Sequence, residues 1–204
     1  MNHMLFNIDG NSQLIARNRG AIQLRGSDAA KFLQGQVTCD LIALADAPND
    51  SVISGAQCTP KGRMIFDFSV FYHCSEQMRD LILITAPELV ELAIASLKKY
   101  AVFFKVEISD VSTQWQQQLL FGTPPETLPE GIIAQPLCSA ITALTLPSGQ
   151  LCELSPACNE EADANWLHNQ LIAAGIAEVS AATTDLFIPQ MLNFDHRNFI
   201  YKLP

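Results

Sequence analysis

Residues 51–72, SVISGAQCTPKGRMIFDFSVFY, decide the fold class. Two runs rich in β-branched and aromatic residues, 51–58 and 63–72, flank Thr59-Pro60-Lys61-Gly62, whose proline and glycine suit a tight turn. Two strands joined by that turn are expected. In the second strand, alternation puts Met64, Phe66, Phe68 and Val70 on one face and Ile65, Asp67, Ser69 and Phe71 on the other. Asp67 is the odd member. A carboxylate among apolar neighbours in a strand is either turned to water or held for a purpose.

Upstream, Leu14–Arg17 and Ala21–Leu24 flank Asn18-Arg19-Gly20 and read as a hairpin. A short helix is predicted from Ser27 to Gly35, capped by the Ser27 side chain and ended by Gly35 in the left-handed conformation. Downstream, a strand over 81–85 leads into a helix over 87–99. Pro87 suits its first turn, Glu88 and Glu91 its positive end, and Lys98 and Lys99 its negative end. Leu89, Ala93 and Leu97 form its buried stripe. Val102–Ile108 reads as another strand. The fold class is therefore α+β, helices layered on a largely antiparallel sheet.

Strands are predicted at 115–121, 132–137, 140–146 and 150–154, the last two joined by Pro147-Ser148-Gly149. The proline-rich stretch 123–131 reads as loop. Asn159 is expected to cap a helix running through Ala174, with Gly175 past its end. The expected division is an α+β domain over 1–111, a smaller α+β subdomain over 112–176, and a segment over 177–204 that returns to the first domain.

Composition narrows the function. With 49% apolar and 16% charged residues the chain is globular in type. No apolar run reaches the ~18 residues of a membrane-spanning helix. The N-terminus lacks the basic flank and apolar stretch of a secretory signal, so a cytoplasmic location and no membrane partner are expected. The cysteines at 39, 58, 74, 138, 152 and 158 form no C-x-x-C pair and no metal-ligand spacing, so they read as reduced core residues. A net charge of −9 opposes phosphate, and no direct nucleic-acid binding is expected. Lysines and arginines nevertheless gather at Lys61 and Arg63 and at Lys98, Lys99 and Lys105. There is no dinucleotide or P-loop glycine motif, no His-Glu-x-x-His and no nucleophile elbow.

Four segments carry a family resemblance. They are KFLQGQVTCD (31–40), AQCTPKGRMIFDF (56–68), LKKYAVFFKV (97–106), and AGIAEV (174–179) with FIPQMLN (187–193). In this order the chain resembles the folate-binding, aminomethyltransferase-like (glycine cleavage T-protein-like) family. Its bacterial members are called tRNA-modifying proteins, and its mitochondrial relatives serve iron–sulfur cluster assembly. The resemblance implies an aminomethyltransferase folate-binding domain type with mixed or antiparallel sheets and a ferredoxin-like subdomain. In the family, the Gln-Met-Leu-Asn run leads into a Lys-Gly-Cys-Tyr-x-Gly-Gln-Glu signature and a C-terminal β-barrel. Here Asn193 is followed by FDHRNFIYKLP, so a truncated member without signature cysteine or barrel is expected.

The resemblance also implies a tetrahydrofolate cofactor, its pterin read by a carboxylate among apolar and aromatic side chains. Asp67 is the candidate carboxylate. Lys61 and Arg63 would meet the anionic glutamate tail, and Tyr100 and Phe103 lie on a segment that lines the cavity in relatives. Gln36 is a candidate contact, or else fixes its loop together with Thr38 and Asp40 through local hydrogen bonds. Trp166 resembles a tryptophan ahead of the Ala-Gly-Ile run, and Gln190 is a cavity wall or a hydrogen-bonded structural amide. The implied function is an accessory protein for maturing or repairing iron–sulfur enzymes, with those enzymes or assembly factors as partners and an indirect effect on tRNA modification. Two alternatives stand: a folate-dependent one-carbon transferase of aminomethyltransferase type, and a remnant that binds nothing.

Overall fold

The computed structural model describes residues 4–5, 13–74, 79–123, 128, 131–148, 152–153 and 164–194. In chain order the strands are β1 (Met4–Leu5), β2 (Gln13–Arg17), β3 (Gly20–Arg25), β4 (Val52–Cys58), β5 (Met64–Cys74) and β6 (Arg79–Thr85). Then come β7 (Glu107–Asp110), β8 (Trp115–Phe121), β9 (Ile133–Cys138), β10 (Ile141–Pro147) and β11 (Cys152–Glu153). The α-helices are α1 (Ala29–Gln34), α2 (Leu41–Asp46), α3 (Val90–Lys98) and α4 (Ala164–Ala173). Two compact units form, one from residues 1–18 and 113–177, the other from 19–112 and 178–204. Among the described residues no helix is long and apolar enough to cross a membrane.

The second unit is built on a five-stranded sheet in the order β4-β5-β6-β3-β7, every neighbour antiparallel. The expected strand pair at 51–72 is its β4–β5 ladder, with Ala56 opposite Asp67 and Gly55 opposite Phe68. Thr59 and Gly62 close the turn by backbone bonds, Thr59 N–H to Arg63 C=O at 2.7 Å and Gly62 N–H to Thr59 C=O at 2.8 Å. Met64, Phe66, Phe68 and Val70 are fully buried on one face. Each of these phenylalanines stabilises the fold by roughly 2–3 kcal/mol. The stripe of Leu89, Ala93 and Leu97 is also buried, its first turn a 3₁₀ turn over Pro87–Leu89 running into α3.

The hairpin expected at 14–24 does not form. β2 pairs with β8, whereas β3 lies between β6 and β7. A two-residue hairpin needs positive φ in its turn, and neither Asn18, Arg19 nor Gly20 has it. Gly20 serves packing instead: a Cβ there would lie 2.1 Å from Val90 Cγ2 at the start of α3.

The short helix at 27–35 forms, with different ends. Asp28 is its N-cap residue and makes no side-chain cap bond; its Oδ2 instead accepts from Lys105 N–H at 2.9 Å. Gly35 stays right-handed, at φ −79°. The strand expected at 102–108 is replaced by a 3₁₀ turn at Ala101–Phe103, and only Glu107–Asp110 pairs. Tertiary contacts override the apolar run there: Phe104 packs on Phe32, ring centroids 5.3 Å apart, and Gly26 at φ +136° lets Lys105 C=O approach.

The first unit holds a four-stranded antiparallel sheet, β2-β8-β10-β9. Leu14, Leu120, Ile132, Leu144 and Leu146 fill one cluster, and Leu119, Ile141 and Ala143 pack with Leu171 of α4 and Ile176 in another. The strand expected after the turn at 147–149 is not β10's partner; β11 pairs in parallel with β1. Gly175, at φ +69°, ends α4 as expected. Ile176 N–H bonds back to Leu171 C=O there at 2.8 Å. The proposed cap at Asn159 lies outside the described residues.

Candidate functional site

The register sets Asp67 on the face of the five-stranded sheet opposite Phe66 and Phe68. It is buried, at 4% exposure. Thr85 Oγ1 holds its backbone carbonyl at 2.7 Å, which fixes the strand at this residue. Its Oδ1 accepts the Val179 amide at 2.9 Å. Beside it, Arg19 Nη1 pairs with Glu178 Oε1 at 3.3 Å, with the two side chains 10% and 28% exposed.

Burial pushes the Asp67 carboxyl up to about 6, and the Glu178 charge adds to the rise. Arg19 and the amides of Val179 and of Asp67 itself act against it without cancelling it. Arg19 Nε is buried and has no hydrogen-bond partner among the described residues. The result is a buried carboxylate that titrates close to neutrality, next to a guanidinium with a donor in reserve. Such pairs concentrate at ligand sites.

The segment 184–187 is stapled to the start of β5. Asp185 N–H bonds to Met64 C=O and Met64 N–H to Phe187 C=O, both at 2.8 Å. Thr184 Oγ1 reaches Ile65 C=O at 2.7 Å. Arg63 Nη1 donates to the Leu186 carbonyl at 2.6 Å and the Asp185 carbonyl at 3.4 Å. Two sequence runs far apart in the chain, CTPKGRMIFD and DLFIPQ, thus meet at the strand that bears Asp67.

The other candidates are placed as follows. Lys61 stands exposed on the 59–62 turn, next to Arg63. Gln36 is half-buried, its N–H on Leu33 C=O at 2.9 Å. Thr38 and Asp40 do fix their loop: Thr38 Oγ1 accepts from Ala56 N–H, and Asp40 Oδ1 accepts from Ile42 and Ala43 N–H as the cap of α2. Gln190 is exposed in a 3₁₀ turn at Pro189–Leu192. Tyr100 and Phe103 are 51% and 95% exposed, on a turn and not a strand. Trp166 sits on α4 in the other unit, its ring 5.5 Å from that of Phe121.

Arg19 and Glu178 are the residues that sequence reasoning missed, because nothing local marks either one. Gln57 is a third, 2% exposed with Oε1 buried and unpartnered among the described residues; its register with Phe66 puts it on the face away from Asp67. The thiols are poor nucleophiles where they are buried. Burial raises Cys39 to about 12 and Cys58 to about 11, so both stay protonated at neutral pH.

The chain is similar to proteins called tRNA-modifying protein YgfZ. It is 39% identical to that of Vibrio atlanticus over 92 residues, which are 45% of this chain and 26% of that one. With that of Colwellia psychrerythraea it shares 28% identity over 201 residues, 89% of this chain and 60% of the other. An uncharacterized protein of Haemophilus influenzae is 32% identical over 178 residues, 84% of this chain and 56% of that one. The chain thus spans only part of the length of the curated relatives it matches. No family model matches it. Among solved structures, the glycine cleavage aminomethyltransferase T of Bartonella henselae superposes with a TM-score of 0.52 at 14% identity, covering 67% of this chain and 42% of that one. The α+β architecture with antiparallel sheets is therefore of the aminomethyltransferase type.

Proposed function

We propose that this chain, a partial-length homologue of the tRNA-modifying proteins on an aminomethyltransferase-type fold, binds tetrahydrofolate. We further propose that it acts as an accessory protein in maturing or repairing iron–sulfur enzymes, and bears on tRNA modification through them. One observation carries the ligand reading: the buried Asp67 carboxylate lies beside a buried guanidinium whose Nε–H is unpaired.

A pterin ring presents a ring N–H next to an exocyclic amino group, a donor pair that an ionised carboxylate accepts. The same edge ends in a carbonyl, which takes a donor such as Arg19 Nε–H. The residues present therefore fit the group. Lys61, a mobile point charge on an open turn, suits the glutamate tail, with the Arg63 guanidinium next to it. Bound tetrahydrofolate supplies a carrier for one-carbon units; the chain orients it and shields its pterin from water.

Calorimetric titration with tetrahydrofolate and its 5-formyl form tests the reading. Binding strengthens as pH rises through about 6, because the ionised carboxylate is the acceptor. Absence of saturable binding, or equal affinity in Asp67→Asn, rejects the site. The accessory role is checked separately, by iron–sulfur enzyme activity in cells deprived of the protein. Wild type restores that activity and Asp67→Asn does not.

A further inference from the structure

The segment Lys98-Lys99-Tyr100-Ala101-Val102-Phe103-Phe104-Lys105 is not used by the site above. It carries three lysines and no acidic residue in a chain of net charge −9. All three lysines are exposed. Val102 is 77% and Phe103 95% exposed, and Tyr100 is half-exposed. Tyr100 directly precedes the 3₁₀ turn at Ala101–Phe103, so the two exposed rings stand three residues apart at one bend of the chain.

The display is held in place. Phe104 is anchored on the ring of Phe32, 5.3 Å away. Asp28 clamps the turn twice, its Oδ2 accepting Lys105 N–H at 2.9 Å and its own N–H donating to Lys105 C=O at 3.3 Å. Gly26 has no side chain where one would strike that carbonyl. Phe103 is thus presented to solvent by a pinned backbone, and presenting it adds no burial to the fold.

We propose that Lys98–Lys105 is a contact site for single-stranded RNA, with bases stacking on Phe103 and Tyr100 and phosphates meeting Lys98, Lys99 and Lys105. Aromatic faces interleaved with cations are the general solution for single strands, since every base offers a π-face. Protein interfaces are instead depleted in lysine, which makes a protein partner the less favoured occupant. The acidic remainder of the chain does not forbid contact, because charges beyond about 8 Å are screened at physiological salt. It does keep affinity low, and only a local, weak site is inferred. This proposal is independent of folate.

The test is fluorescence anisotropy of a labelled single-stranded RNA of about 12 nucleotides, titrated with the full chain. Three phosphate contacts predict a log–log salt slope of about −2, hence on the order of tenfold weaker binding at about 150 mM than at about 50 mM salt. Phe103→Ser weakens binding about tenfold with the slope unchanged. Lys98→Gln with Lys99→Gln flattens the slope by more than half. Phe103 is solvent-exposed, so an unchanged thermal melt certifies that variant as folded. The proposal is overturned if no saturable binding occurs or if Phe103→Ser binds as well as wild type. It is equally overturned if duplex RNA or polyglutamate of matched charge competes as well as the single strand, which would indicate a generic polyanion site or an acidic protein surface.

Discussion

Two carboxylates are buried on the same face of the five-stranded sheet, Asp67 on β5 and Asp80 on β6. Asp80 has no exposure, and side chains saturate it. Arg25 donates from Nε at 3.1 Å and Nη2 at 2.8 Å to Oδ2, and Gln23 Nε2 reaches the same oxygen at 2.9 Å. Asp67 is nearly as buried, but its carboxylate bonds run to backbone amides, Glu178 repels it, and the nearby Arg19 is paired with Glu178. Equal burial thus separates into a carboxylate held by side-chain donors and one held by backbone amides between opposed charges. A charge held buried with few partners weakens the fold unless something else uses it.

The comparison breaks first on ligand binding. Asp67→Asn removes the charged acceptor and lowers tetrahydrofolate affinity on the order of 100-fold. Asp80→Ala leaves that affinity within about twofold, as calorimetry on both variants would read. Next comes stability. Asp80→Ala removes the acceptor of the half-buried Gln23 amide and lowers unfolding stability by about 1–2 kcal/mol in denaturant melts. Arg25 is half-exposed and regains water, so it adds little to that loss.

Asp67→Asn moves stability the other way, and pH reveals why. Its carboxyl sits at about 6 in the fold against about 4 in the unfolded chain. Between those values the folded state holds more protons than the unfolded state. The stabilising contribution of the neutral acid is therefore full below pH about 4 and lost as pH rises through about 6. The shift corresponds to roughly 3 kcal/mol at most. Asp67→Asn keeps an oxygen for the Val179 amide, so it should gain about 2 kcal/mol at pH about 8 and nothing at pH about 4. Melts across that range check it, and a variant less stable at pH 8 would mean Asp67 is a structural group like Asp80.

How much of this was legible from sequence depends on whether the signal is local. The β4–β5 pair, the Leu89–Ala93–Leu97 stripe and the oddness of Asp67 all follow from period and residue type within one element. The hairpin at 14–24 failed because Gly20 reads as a turn glycine, while its actual role is to admit Val90. The strand at 102–108 failed because Val-Phe-Phe reads as core; Asp28, Gly26 and Phe32, distant in sequence, pin it into a turn that leaves Phe103 bare. The site was half-legible for the same reason. Asp67 announces itself within its strand, whereas Arg19 and Glu178 act only once the chain has folded them beside it.

The smallest predicted effect tests that last arrangement directly. Arg19 pulls the Asp67 titration down and Glu178 pushes it up, so the two neighbours have opposite signs. Arg19→Gln should raise the Asp67 pKa above about 6, and Glu178→Gln should lower it, each by about one unit or less for screened charges. Carboxyl ¹³C shifts followed through the titration would resolve both. Because Arg19 and Glu178 neutralise one another, removing either also frees the other, so each single substitution gives more than its own share. The double variant should fall between the two singles. Should neither single move Asp67, burial alone would set its pKa, and the Arg19–Glu178 pair would be a structural brace with no hold on the carboxylate.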